Sequence, residues 1–171
     1  MKFRKEIGSM SLETFVSKAE DQVGNGGKTY TTWFGVPEST AWCAIFVSWC
    51  ANEADILTTE ATASPPDVYK TAGVAAMRQW YNDNHRAFVI SASPTSSNYP
   101  KPGDIVTVAT GSDPTEHTHV AIVVATDGNK ITTVEGNLGR TNPIVKEVTY
   151  TDLYAEGYGT LLWVLSNHTS W

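Results

Sequence analysis

Cys43 and His119 are the residues of this 171-residue chain whose types and surroundings best fit a nucleophile and its base. A thiol attacks a carbonyl as its thiolate, and the first turn of a helix favours that form, because free backbone N–H groups and the helix dipole meet there. Cys43 lies in the run Trp42-Cys43-Ala44-Ile45-Phe46-Val47-Ser48-Trp49-Cys50-Ala51, which is apolar nearly all round and reads as a buried helix. Thr40 offers an N-cap for a helix from 41 to about 53, which sets Cys43 in its first turn. The Cys43 N–H is then one of the free donors that can hold the oxyanion of a tetrahedral intermediate. Cys50, two turns deeper, reads as a packing residue. On one helix the two Cα atoms stand about 10 Å apart, beyond the roughly 7 Å a disulfide spans, so no bridge between them is expected. There is no C-x-x-C and the histidines are dispersed, so no metal and no cofactor are expected.

The base must come from a distant segment. His119 opens the apolar run His119-Val120-Ala121-Ile122-Val123-Val124, a strand whose mouth can face the helix terminus. His117 shares its side-chain parity but lies in the polar stretch 111–118. A third group should accept the other imidazole N–H and fix the tautomer. Glu135 and Asn137, in Val134-Glu135-Gly136-Asn137, both qualify. Parity constrains them. With Asp127-Gly128 as a two-residue hairpin loop, His119 would stand opposite Gly136, and Glu135 would point to the other face. A loop of odd length, or a compensating bulge, puts Glu135 and Asn137 on the face of His119.

The elements that must position these groups follow from periodicity. Residues 1–10 read as a disordered lead-in, and 11–171 as a single domain. Leu12, Phe15, Val16, Ala19 and Val23 recur at helical spacing, predicting a helix from 11 to about 23 that stops at Gly24-Asn25-Gly26-Gly27. The stretch 28–39, with Tyr30, Trp33, Phe34, Gly35 and Pro37, has no period and reads as an aromatic loop. A third helix is built on Val74, Met77 and Tyr81. Beyond Asn84, segments rich in Val, Ile and Thr at 104–109, 119–126, 130–135, 144–149 and 160–165 alternate with turn residues, the pattern of an antiparallel sheet. Helices first and strands second predict an α+β fold, N-terminal helices packed on a C-terminal sheet. In Lys101-Pro102-Gly103-Asp104, Gly103 makes a turn that Asp104 caps, a structural role.

Composition narrows the function. Lys and Arg total 12 against 18 Asp and Glu, a formal charge of −6 with no basic run, which argues against nucleic acid as a partner. No apolar stretch reaches the roughly 18 residues of a membrane span, and the first residues lack a signal-peptide core. A role outside the cytoplasm therefore implies another route of delivery: cell lysis, a secretion apparatus, or a longer exported parent chain.

Four ordered blocks, Trp42 to Ala51, Lys101 to Val106, His119 to Val123 and Glu135 to Asn137, together resemble the CHAP domain, the cysteine, histidine-dependent amidohydrolase/peptidase family of the NlpC/P60 group. The resemblance spans roughly residues 12–165. It implies a papain-like fold and hydrolysis of an amide bond in bacterial peptidoglycan, either between sugar and stem peptide or within the peptides; a monomer is expected. Carried onto this sequence, it implies Cys43 as nucleophile, His119 as base, Glu135 as orienting acid and Asn137 as a supporting polar group. The chain departs from the family in carrying Thr118 where many members have glycine before the histidine. The segment Gly24-Asn25-Gly26-Gly27-Lys28 lacks the paired aspartates with which some phage members bind calcium. Other readings of the same residues are an amidase or toxin acting on another amide, a catalytically silent wall-binding module, and a structural component of a phage tail or conjugation apparatus.

Overall fold

A computed structural model describes residues 2–91, 93–109, 117–151 and 160–168. In chain order its elements are α1 (Lys2–Glu20), α2 (Lys28–Phe34), α3 (Cys43–Glu53), β1 (Leu57–Thr58), β2 (Val68–Tyr69), α4 (Val74–Asp83), β3 (Ala87–Val89), β4 (Ile105–Ala109), β5 (His117–Asp127), β6 (Lys130–Leu138), β7 (Ile144–Tyr150) and β8 (Thr160–Leu165). The architecture is α+β: helices precede a six-stranded antiparallel sheet of order β3-β8-β4-β5-β6-β7, and β1 and β2 form a separate parallel pair.

Both faces of the sheet are buried. One face gives Ile105, Val120, Ile122, Val134 and Leu165 to a core shared with Phe15, Phe46, Val47 and Met77 of the helices. The opposite face gathers Val106, Val108, Ala121, Val123, Val148 and Val164 with Ile90 and Tyr99. Among the described residues this second cluster contains no helical residue, and Ile90 and Tyr99 join it from outside the strands.

Several expectations change at element ends. The first helix begins at Lys2 and not at residue 11, because Lys, Arg, Glu and Met are good helix formers and the single Gly8 does not stop them. It ends at Glu20, and turns carry the chain to Gly24. The aromatic stretch expected as a loop is in fact the two-turn helix α2, which buries Tyr30 and Thr31. Gly35 ends it in the left-handed conformation, φ 86°, with its N–H returning to Thr31 O and Thr32 O.

The helix that carries Cys43 starts two residues later than expected. Thr40 does not cap it: the Thr40 N–H closes a turn onto Pro37 O at 2.9 Å. Trp42 takes the cap position at φ −122°, ψ 17°, without a side-chain cap bond. Its ring stacks on Tyr30 at 5.3 Å and meets Phe46 edge-on at 6.5 Å, anchoring the entry to α3 by aromatic packing where a polar cap was expected.

Candidate active site

Cys43 is the first residue of α3, so its N–H and those that follow in the first turn have no partner within the helix. The helix packs on β5 and β6, the strands that carry His119 and Glu135. The hairpin joining them shows how parity is met. Asp127 pairs with Lys130 across the two-residue connection Gly128-Asn129, which alone would misplace Glu135. Between the pairs Ala125↔Thr132 and Val123↔Thr133, Val124 is the extra residue of a bulge. The bulge shifts the register by one, and Glu135 comes onto the face of His119.

The contacts follow from that register. His119 Nε2 lies 2.8 Å from Glu135 Oε2, and the Cys43 side chain is close enough to the ring to act on its pKa, with Nδ1 the ring nitrogen that Glu135 leaves free. His119 is 6% exposed, Cys43 5% and Glu135 0%. Burial by itself lowers the His119 pKa, but hydrogen bonds to Cys43 and Glu135 and the charges of both outweigh it, and the imidazole is raised to about 10. The imidazolium is therefore the favoured form near neutrality.

Glu135 is held from its other side. Its Oε1 accepts the Thr133 hydroxyl at 2.6 Å and the Tyr150 phenol at 2.9 Å. The sequence singled out neither residue. Thr133 was within reach of sequence reasoning, since it stands two positions before Glu135 on one strand face, whereas Tyr150 needs the β6–β7 register to be found.

Asn137 follows in a bulge between Glu135 and Leu138, half-buried, with a left-handed backbone at φ 65°. Among the described residues it forms no hydrogen bond with His119 or Glu135. The His117 backbone pairs with Ala109, and its side chain lies outside the described residues. Thr118 is an exposed residue of β5.

The remaining candidates have structural surroundings. Both cysteines are free; Cys50 is fully buried, and burial, with Glu53 adding to it, pushes its thiol well up. Asp104 Oδ2 accepts the Lys101 N–H at 2.9 Å and Oδ1 the Asn167 N–H at 3.0 Å, with His168 Nε2 3.7 Å from Oδ1. Burial raises its carboxyl, and His168 and the two N–H groups oppose the rise. A cleft of about 500 Å³ lies between α1, the segment Lys101-Pro102 and His168 after β8; Cys43, His119 and Glu135 do not line it. Among the described residues no His, Cys, Asp or Glu cluster could hold a metal ion, and no helix is long and apolar enough to cross a membrane.

No curated protein matches the chain. The fold is similar to that in the crystal structure of Ly7917, with a TM-score of 0.51 at 20% identity over 91% of this chain and 62% of that one. A second structure of Ly7917, with the hydrolyzing product of MDP, gives a TM-score of 0.49 at 18% identity over 91% and 63% of the two chains. This chain thus spans somewhat less than two thirds of Ly7917, and at such identity the likeness is one of fold. The family model of the CHAP domain matches residues 35–137, more than half of the sequence and the part that holds Cys43, His119, Glu135 and Asn137, so the chain belongs to the CHAP domain family.

Proposed function

We propose that the chain is a peptidoglycan hydrolase that cleaves an amide bond, an N-acetylmuramoyl-L-alanine or a stem or cross-bridge peptide linkage, through a papain-like site of Cys43, His119 and Glu135. The observation that carries this reading is the 2.8 Å contact of His119 Nε2 with Glu135 Oε2, with Cys43 at the start of α3 close enough to the ring to help raise its pKa. In the first step the Cys43 thiolate adds to the amide carbonyl, and the Cys43 N–H at the helix start steadies the oxyanion. As the C–N bond breaks, His119 gives its Nδ1 proton to the departing amine, leaving a thioester on Cys43. The neutral imidazole then takes a proton from water, hydroxide adds to the thioester, and collapse releases the acid and restores thiolate and imidazolium. Glu135 keeps the Nε2–H directed at itself throughout, which leaves Nδ1 free to exchange its proton.

Family membership supports the substrate class; on this reading the protein acts at the wall after lysis, export by an apparatus, or as part of a longer exported chain, with residues 11–171 as one catalytic domain. Purified sacculi incubated with the protein should release new amino or carboxyl termini, and Cys43→Ala should abolish the release while remaining folded. Turnover by Cys43→Ala at the wild-type rate would overturn the reading. Mass spectrometry of the fragments identifies the bond cut.

A further inference from the structure

We propose that Tyr150 and Thr133 are positioning residues, whose hydroxyls clamp one oxygen of Glu135 so that the other is presented to the His119 ring. This deepens the reading above, since it takes Glu135 as the acid that orients His119.

The division of labour is visible in the contacts. Thr133 Oγ1 at 2.6 Å and Tyr150 Oη at 2.9 Å both meet Oε1, while His119 Nε2 meets Oε2 at 2.8 Å. Thr133 has one hydroxyl proton and two acceptors near it, Glu135 Oε1 at 2.6 Å and Val148 O at 3.4 Å; the shorter contact takes the proton. A carboxylate turns readily about its terminal torsion, so two donors on one oxygen restrict that turn and fix which oxygen faces the ring. They also replace part of the hydration that Glu135, fully buried, has lost. The clamp is a product of sheet register. Thr133 shares the Glu135 face of β6, and Tyr150, paired with Ile131 on β7, is 3% exposed.

The test uses Thr133→Val and Tyr150→Phe, both near-isosteric, with Thr133→Ser as the conservative control. In the wild type and Thr133→Ser, the His119 Nε2–H bonded to Glu135 should give a downfield proton resonance protected from exchange. In Thr133→Val and Tyr150→Phe it should broaden or move upfield, and kcat on sacculi should fall about tenfold with KM little changed, the loss of one hydrogen bond to a charged group. Folded variants that keep both the resonance and kcat would overturn the proposal, as would a fall in kcat that Thr133→Ser shares. If either variant fails to fold, the other and Thr133→Ser still decide it. Because the resonance is read without substrate, loss of the clamp is distinguishable from failure of the wall-hydrolase reading, which Cys43→Ala tests.

Discussion

Gly136 lies against Trp42 with no room for a side chain: a Cβ there would stand 2.8 Å from Trp42 Cζ3 and 2.7 Å from Phe46 Cβ. This contact brings the Glu135 end of β6 close to the entry of α3. Phe46 Cβ is anchored to the helix backbone and cannot move aside, so Gly136→Ala must separate strand from helix. The variant is expected to lose about 1–3 kcal/mol of stability, the usual cost of overpacking, and to lose activity even where it remains folded. Chemical denaturation and turnover measured below the midpoint check this; wild-type activity in the folded variant would mean that the contact does not set the site.

Glu135→Gln preserves volume and removes charge. Tyr150 and Thr133 would still donate to the amide oxygen, which turns the amide N–H groups toward His119. The imidazole must then accept at Nε2 and carry its proton at Nδ1, facing Cys43, so it cannot act as a base there. Turnover should fall by roughly 10²–10⁴-fold, as when an orienting carboxylate is replaced by its amide elsewhere. Retention of more than a tenth of the wild-type kcat would contradict the assignment.

The raised His119 pKa links stability to pH. The folded value is about 10 and the ordinary histidine value 6.5, so the native state holds the proton more tightly. The resulting stabilisation is fully present below about pH 6.5, declines as pH rises, and is gone once pH passes about 10. Wild type and His119→Gln should therefore differ most in melting temperature at acidic and neutral pH, and the difference should shrink toward pH 10. Melting curves from pH 6 to 10 read this directly, and a gap that widens with pH reverses the sign.

Much of this site was legible before any coordinates, because its residues fall in four short blocks and strand parity has period two. Parity required either an odd loop or a bulge, and Val124 supplies the bulge. Other parts were hidden for physical reasons. Seven residues are too few for α2 to show a helical period, although Gly35 carried its stop signal. Thr40 has the better capping side chain, yet its N–H is used in the turn onto Pro37, and the Trp42 ring fixes the helix start by stacking on Tyr30. The role of Tyr150 belongs to a pairing of β6 with β7 that no local pattern announces.

The two thiols should differ in chemistry. Cys43 lies near an imidazole whose pKa is raised, whereas Cys50 is sealed in the core and its thiol is pushed well up. Iodoacetamide at mildly acidic pH should label Cys43 far faster than Cys50, and His119→Ala should slow the labelling of Cys43. Peptide mapping after brief labelling gives both rates, and equal labelling of the two in the wild type would remove the evidence for an activated thiol.

Asp104 offers the converse test, since it is a buried carboxyl that lies outside the contacts of His119 and Glu135. Its two oxygens accept N–H groups from Lys101 and Asn167, tying the start of β4 to the segment after β8. In Asp104→Asn the amide oxygen can accept only one of them, and the amide N–H₂ faces the other donor. That mismatch should cost about 1–3 kcal/mol in the denaturation free energy. With the machinery untouched, kcat of the folded variant should stay within about twofold of wild type, well short of the tenfold that one charged hydrogen bond is worth in a transition state. A collapse of kcat at unchanged stability would instead place Asp104 among the catalytic groups.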